Sequence, residues 1–372
     1  MSFKNSTNNN TPLENNICDQ AITVQDFGAI GNDSVSLYIL KNKNGMSVEI
    51  TNYGGIITKI ITADRYGEFT NIALGFDSLS QYLENTQYSG AFVGRYANRI
   101  AKGKFNLRGE SYKLALNNGP NALHGGLEGF DKKIWKSKPF KTDHTVGLLL
   151  SGVSPDNEEG YPGNLSINIK YELNNQNELH INYSAETDKP TVVNFTNHTY
   201  FNLRGAGQRS IIDHILQLNA DSFTPVDETS IPTGEIRPVV GTPFDFNIPT
   251  RMGDRINQKD NEQIKIGNGY DHNFILRKTD GVLSLAATVV EPTTGRTLEV
   301  LTTEPGIQFY TANYLGGIFK GKYEKAHATR DAFCLETQHY PDSPNQPDFP
   351  STVLNPNEKF ESTTVFRFSV QE

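Results

Sequence analysis

The chain is poor in the residues that carry most metal, redox and membrane chemistry. Its 372 residues include two cysteines, Cys18 and Cys334, which lie far apart and form no CxxC or other metal or redox pattern. That usage excludes a disulfide framework and suits a reducing compartment, so a cytoplasmic location is expected. The eight histidines fall into no HExxH arrangement and the acids into no calcium loop, so no metal is expected. No apolar run approaches the length of a membrane span, and the N-terminus lacks a secretory apolar segment. The Asn-x-Ser/Thr triplets at Asn5, Asn164, Asn194 and Asn197 are therefore read as incidental. With 34 Lys and Arg against 42 Asp and Glu, the net charge is −8, the wrong sign for a nucleic-acid or anionic-membrane partner. Walker and dinucleotide fingerprints are missing, as is a GxSxG elbow, which lowers the standing of nucleotide cofactors and of serine hydrolysis.

What the chain has in quantity is alternation. Leu165, Ile167, Ile169 and Tyr171 are spaced by polar residues, an Asn-rich turn follows, and Leu179, Ile181 and Tyr183 alternate again. This predicts a hairpin with one buried face. Gly281 to Val290 and Arg296 to Thr303 flank a Pro-Thr-Thr-Gly turn and predict another, and Phe366, Phe368 and Val370 repeat the period at the C-terminus. Turn dipeptides recur at Asn44-Gly45, Asn118-Gly119, Asn268-Gly269 and Asp280-Gly281. Helical periodicity is scarce, with one short capped helix expected over Asp77 to Thr86. The fold class is all-β, a large antiparallel sandwich or barrel. Residues 1–20 are polar and Asn-rich and predict a flexible tail; residues 21–372 show no linker and predict a single domain.

Several loop-like stretches hold more polar chemistry than turns require. Asp331 to Asn345 reads as a buried strand, Ala332 to Leu335, that delivers Glu336 at its mouth before a proline-rich loop. Desolvation there would raise the carboxyl towards the range useful for a base, although a strand-end Glu ordinarily faces water. Arg95, Asn98 and Arg99 lie together and precede Asn121-Ala122-Leu123-His124-Gly125-Gly126; two arginines near glycines suit an anion, a polyol or plain ion pairs. His198 sits among amides and aromatics in Asn194 to Leu203, where a hydrogen-bonded core residue is the commoner outcome. Asp271 follows a turn and would ordinarily cap it, while Gln308 lies in an apolar aromatic run and needs partners if buried.

In order, GRYANRIAKGKF, NALHGG, NFTNHTYFNL, GYDHNF, EPGIQFYTANY and LETQHYPDSPN resemble the aldose 1-epimerase (galactose mutarotase) family, from about residue 30 onward. The resemblance implies a galactose mutarotase-like β-supersandwich with an open sugar cleft. Glu336 would be the general base and His198 the general acid. Asn98, Arg99, His124, Asp271 and Gln308 would bind a small monosaccharide, with no cofactor, in a monomer or homodimer. Tyr96 departs from the pattern, being bulkier than the small or aliphatic residue expected after Gly94-Arg95. The reaction would interconvert α and β anomers of free hexoses such as galactose and glucose by ring opening, C1–C2 rotation and reclosure. It needs an ionised Glu336 and a charged His198; each favours the other's charge, and burial opposes both. Three alternatives stand beside this reading. A hexose-6-phosphate 1-epimerase would need further cations near C6. A glycoside hydrolase would pair Glu336 with Asp271. A sugar-binding module would need no facing acid and base.

Overall fold

The computed structural model describes residues 19–84, 87–208, 210–279, 281–315 and 327–372. Most of the expected tail over residues 1–20, together with Cys18, therefore lies outside the described residues. Three antiparallel sheets dominate. A nine-stranded sheet runs, edge to edge, Lys136–Lys141, Thr145–Ser154, Leu165–Asn174, Glu178–Thr187, Phe360–Val370, Arg296–Thr302, Ser284–Val290, Ile215–Leu218 and Thr250–Arg251. The predicted hairpin is its third and fourth strands, with Leu173 opposite Leu179 and the alternate residues Leu165, Ile167, Ile169 and Tyr171 buried. The second predicted hairpin is Ser284–Val290 with Arg296–Thr302. A five-stranded sheet of Ala21–Ile30, Asp33–Lys41, Ser47–Thr51, Ile57–Ala63 and Phe69–Asn71 forms the N-terminal part.

The third sheet orders Arg237–Pro238, Ala220–Phe223, Asp271–Leu276, Gly306–Tyr310 and Cys334–Gln338. One apolar core joins all three, drawing Leu40, Val48 and Ile60 from the N-terminal sheet, Leu148, Ile181 and Phe366 from the large one, and Phe274, Ile307, Phe309 and Leu335 from the third. Strand alternation then decides where the polar residues go. With Ile307, Phe309 and Leu335 turned into the core, Gln308, Tyr310, Cys334 and Glu336 are turned to the other face.

Helix is sparse, as expected. The first helix, Leu79–Glu84, buries Leu79 and Tyr82 within the predicted Asp77–Thr86, whose last two residues lie outside the described ones. A second, Glu262–Gly267, was not predicted. Asn261 caps it by accepting from the Gln263 and Ile264 amides, and Asn268 closes it in the left-handed conformation. The Asn268-Gly269 signal therefore marks a helix end and not a hairpin.

Candidate active site

The expectation that Glu336 stands at the mouth of a strand needs correcting. The strand is Cys334–Gln338, and Glu336 is its central residue, opposite Gln308. The apolar run Ala332 to Leu335 is offset because Phe333 makes only an isolated bridge, to Phe201. A central position holds the carboxylate more rigidly than a strand end would, and buries it: Glu336 is 2 % exposed.

Asn98, Arg99, His124, His198, Asp271, Gln308 and Glu336 all line one cleft of ≈ 530 Å³, a size usual for small-molecule sites. Three neighbouring strands supply Asp271, Gln308 and Glu336. The register places Tyr310 opposite both Asp271 and Cys334, and Gln308 opposite Glu336. Asp271 opens its strand and is not the turn cap its sequence suggested. Its Oδ1 accepts a 2.7 Å bond from Gln308 Nε2, so part of the expected need of Gln308 for partners is met by another cleft residue. Gln338 extends this amide row, donating at 3.3 Å to Asn273 and 3.4 Å to Gln308.

The opposite wall comes from loops. Asn98 and His124 both have positive φ, 61° and 50°, a conformation uncommon outside glycine but more accessible to these two residue types. They lock together: the His124 amide donates to Asn98 O at 3.0 Å, and the Asn98 amide donates to His124 Nδ1 at 3.1 Å. Accepting that bond makes Nδ1 the unprotonated nitrogen, so neutral His124 carries its proton on Nε2. Arg99 is oriented by a 2.9 Å bond from Nε to Asn118 Oδ1, leaving most of its guanidinium donors for a ligand. Arg95, by contrast, is structural. It is buried and donates to Pro162 O, Gly163 O, Thr191 Oγ1, and Ser154 O and Oγ. Tyr96, the departure from the family pattern, fits a buried apolar cluster with Ile100, Phe105 and Tyr161.

His198 Nε2 lies 3.6 Å from Glu336 Oε1. The ring stacks on Tyr200 at 4.9 Å between centroids and lies near Tyr88 at 6.1 Å and His124 at 5.3 Å. Burial sets the electrostatics. It lowers His198 to about 4, partly offset by the ring's bond to its own backbone. Burial, then the Asp271 charge, pushes Glu336 well above the usual carboxylate range, with Arg99 opposing. Asp271 is raised by burial, again against Arg99 and Gln308. The second carboxylate oxygen of Glu336, Oε2, is buried with no hydrogen-bond partner among the described residues. An unmatched buried carboxylate oxygen is costly to the fold and marks a functional group.

Glu336, His198 and His124 bring ligand atoms within 4.8 Å of one another, close enough for a metal ion. The His124 tautomer does not fit one. Its Nδ1 is occupied by the Asn98 amide, so a metal on Nε2 would leave the imidazole proton without a place.

The sequence profile of aldose 1-epimerases matches residues 36–367. The chain belongs to the aldose 1-epimerase family. Galactose mutarotase of Sus scrofa is 46% identical over 352 residues, covering 94% of this chain and 99% of its own length. Aldose 1-epimerase of Escherichia coli is 37% identical over 334 residues, covering 89% and 94%. The crystal structure of galactose 1-epimerase from Lactobacillus acidophilus superposes with a TM-score of 0.84 at 32% identity, covering 95% of this chain and 100% of that one. This epimerase is an isomerase that interconverts the anomers of hexoses.

Several cleft residues were not foreseen. Tyr310 lies inside a motif singled out for Gln308 alone, and Asn118 inside a turn dipeptide. Tyr314 closes the EPGIQFYTANY run, whereas Gln87, Tyr88 and the loop residues Glu228, Thr229 and Ser230 carry no local signal, because only the tertiary fold brings them to the cleft. No helix among the described residues is long and apolar enough to cross a membrane.

Proposed function

We propose that Glu336 and His198 are the base and acid of the epimerase, acting on a free, uncharged hexose such as galactose or glucose. Glu336 takes the proton of the anomeric hydroxyl while His198 Nε2 gives one to the ring oxygen. The C1–O5 bond breaks and leaves an aldehyde at C1 and a hydroxyl at C5. Rotation about C1–C2 presents the other carbonyl face, and reclosure returns both protons. Each positioned transfer contributes about 10²–10⁴ in rate.

The observation that carries the reading is the buried pair, Glu336 Oε1 3.6 Å from His198 Nε2, with Oε2 unmatched. Burial favours the neutral pair, whereas ring opening uses the ionic one. The two forms differ by a single proton moved between Nε2 and the carboxylate. Arg99 favours ionised Glu336, so a sugar that draws its donors into the cleft shifts the balance towards the working form. Asp271 and Gln308 accept from and donate to hydroxyls, and His124 Nε2–H donates. Tyr88, Tyr200 and Tyr310 offer surface to the apolar faces of the ring.

Among the described residues lining the cleft, Arg99 is the one Lys or Arg, set against Glu228, Asp271 and Glu336. That balance suits a neutral sugar and opposes a phosphate dianion. The free thiol of Cys334 suits a reducing compartment. The proposal accordingly places the enzyme in the cytoplasm, as a monomer or homodimer, with residues 21–372 as its catalytic domain.

The test is polarimetry on freshly dissolved α-D-galactose and α-D-glucose, with α-D-glucose 6-phosphate as control. Wild type is expected to accelerate mutarotation of the free sugars, and Glu336→Gln and His198→Asn to lose at least about a hundredfold in kcat while keeping the native circular dichroism. Near wild-type turnover by Glu336→Gln would remove that residue from the base role, and a preference for the phosphate would overturn the substrate assignment.

A further inference from the structure

Cys334 precedes Glu336 by two residues on the same strand, so both side chains leave the same face. Its Sγ lies 3.5 Å from His198 Nδ1, on the side of the ring away from the nitrogen that faces Glu336. Cys334 is fully buried in a small apolar cluster with Leu74, Tyr200, Tyr310 and Ala332. The side chains facing the two ring nitrogens of His198 are therefore a carboxylate at Nε2 and a sulfur at Nδ1.

Resting on the acid role of His198, we infer that Cys334 is a positioning residue whose sulfur accepts the Nδ1–H of His198 and so reserves Nε2 for proton transfer. The chemistry requires this assignment. An imidazolium that gives its Nε2 proton to the ring oxygen is left with its remaining proton on Nδ1, and it recovers a proton at Nε2 on reclosure. Through the cycle Nδ1 keeps its hydrogen and needs an acceptor. If the thiol instead donated to Nδ1, neutral His198 would hold its proton on Nε2 and could not exchange protons with Glu336 or the sugar through that nitrogen. Imidazole side chains by themselves favour the Nε2–H form, so the partner at Nδ1 must select the other tautomer.

The choice of sulfur also fits the acid. A carboxylate at Nδ1 would stabilise the imidazolium and weaken it as an acid. A neutral thiol is a weak acceptor, orienting the ring while leaving it strongly acidic towards a poorly basic ether oxygen. Burial and the nearby charges of Glu336 and Asp271 keep Cys334 a thiol. The other titratable groups around His198 are Tyr88, Tyr200, Tyr310 and neutral His124. None of these is hydrogen-bonded to Nδ1; beyond the ring's bond to its own backbone, the Cys334 sulfur is the side chain that meets this nitrogen.

The experiment is ¹⁵N NMR of the imidazole nitrogens in wild type and Cys334→Ala, assigned with His198→Asn, alongside kinetics of Cys334→Ala and Cys334→Ser. Wild type is expected to show neutral His198 with its proton on Nδ1. Cys334→Ala should shift it to Nε2 and lower kcat about tenfold at nearly constant KM. Cys334→Ser, which retains an acceptor, should restore the Nδ1–H form and most of kcat. An Nε2–H tautomer in wild type overturns the inference, whether or not the alanine variant folds, as does a Cys334→Ala enzyme with wild-type tautomer and kcat. Failure of the underlying reading is separate: it would appear as an active His198→Asn enzyme.

Discussion

Acid should destabilise this fold through histidines that it buries neutral, and His272 isolates the effect. Its Nδ1 accepts the Asp271 amide at 3.2 Å, its Nε2 lies 3.1 Å from Gln263 Oε1, and its ring packs edge-on against Phe244 at 4.6 Å. Both nitrogens are satisfied in the neutral form, and a second proton would face the Asp271 N–H. Burial, followed by the Arg237 charge, lowers the ring to about 3. The unfolded chain regains the ordinary value of about 6.5. Between those limits the unfolded state binds a proton that the native state refuses, so stability rises with pH across the window and is lost as pH falls through it. The slope is about 1.4 kcal/mol per pH unit, and the whole window amounts to about 5 kcal/mol, comparable with the net stability of many domains. His272→Gln removes the linkage while offering an amide to the same neighbours. Urea unfolding of wild type and variant from pH 7.5 to 4 should give curves that converge towards acid, wild type losing about 1.4 kcal/mol per unit relative to the variant below pH 6.5. Parallel curves would show that His272 is charged in the native state and refute the argument. Comparing the pair cancels groups that work the other way, such as Asp131, which burial raises to about 6.

Arg99→Ala should act on binding. Losing charge-assisted hydrogen bonds worth about 1.5–3 kcal/mol predicts a KM roughly 10- to 150-fold higher, with a smaller change in kcat, measured by polarimetric progress curves. The same change removes the cation that holds down Glu336 and Asp271, so the acid limb of kcat/KM should move to higher pH; an unmoved limb would separate Arg99 from both carboxylates. Arg95→Met should act on the fold instead. It strips the donors from a buried set of carbonyls and hydroxyls and should cost about 3–5 kcal/mol in denaturant unfolding, with KM unchanged in whatever fraction folds.

The two arginines show what the sequence could and could not say. Arg95 and Arg99 look alike in GRYANR, and both readings, ion pair or ligand donor, suited either. What separates them is depth. Arg95 lies against the Ser154–Gly163 segment, roughly sixty residues away in the chain, whereas Arg99 is held by Asn118 at Nε and, at 3.5 Å, by Asn98 at Nη1. Period-two patterning made the large sheet legible because one face of Leu165–Asn174 and Glu178–Thr187 is buried and the other is not. It failed for Gly306–Tyr310 and Cys334–Gln338, which are buried on both faces and so show no alternation. That is why Glu336 was placed at a strand end. The site strands are hidden from pattern analysis by the same burial that tunes them, and their residues emerged from the family motifs.

The burial has a chemical consequence that reaches across the cleft. Five histidines are buried among the described residues and held below the ordinary imidazole range by desolvation first; besides His327 they are the four His124, His198, His214 and His272. Three have a ring nitrogen tied to a backbone amide: His124 to Asn98, His214 to Leu203, His272 to Asp271. A backbone N–H is a fixed donor, and it commits each of those rings to one neutral tautomer. His198 has no backbone N–H donating to its ring; the side chain at its Nδ1 is the Cys334 thiol, weak and able to accept. Of the four, His198 is therefore the ring whose protonation the surrounding backbone does not forbid, and it is the one that faces Glu336. A difference in what each ring touches, more than a difference in burial, separates the histidine suited to exchanging protons from the three that hold the structure around it.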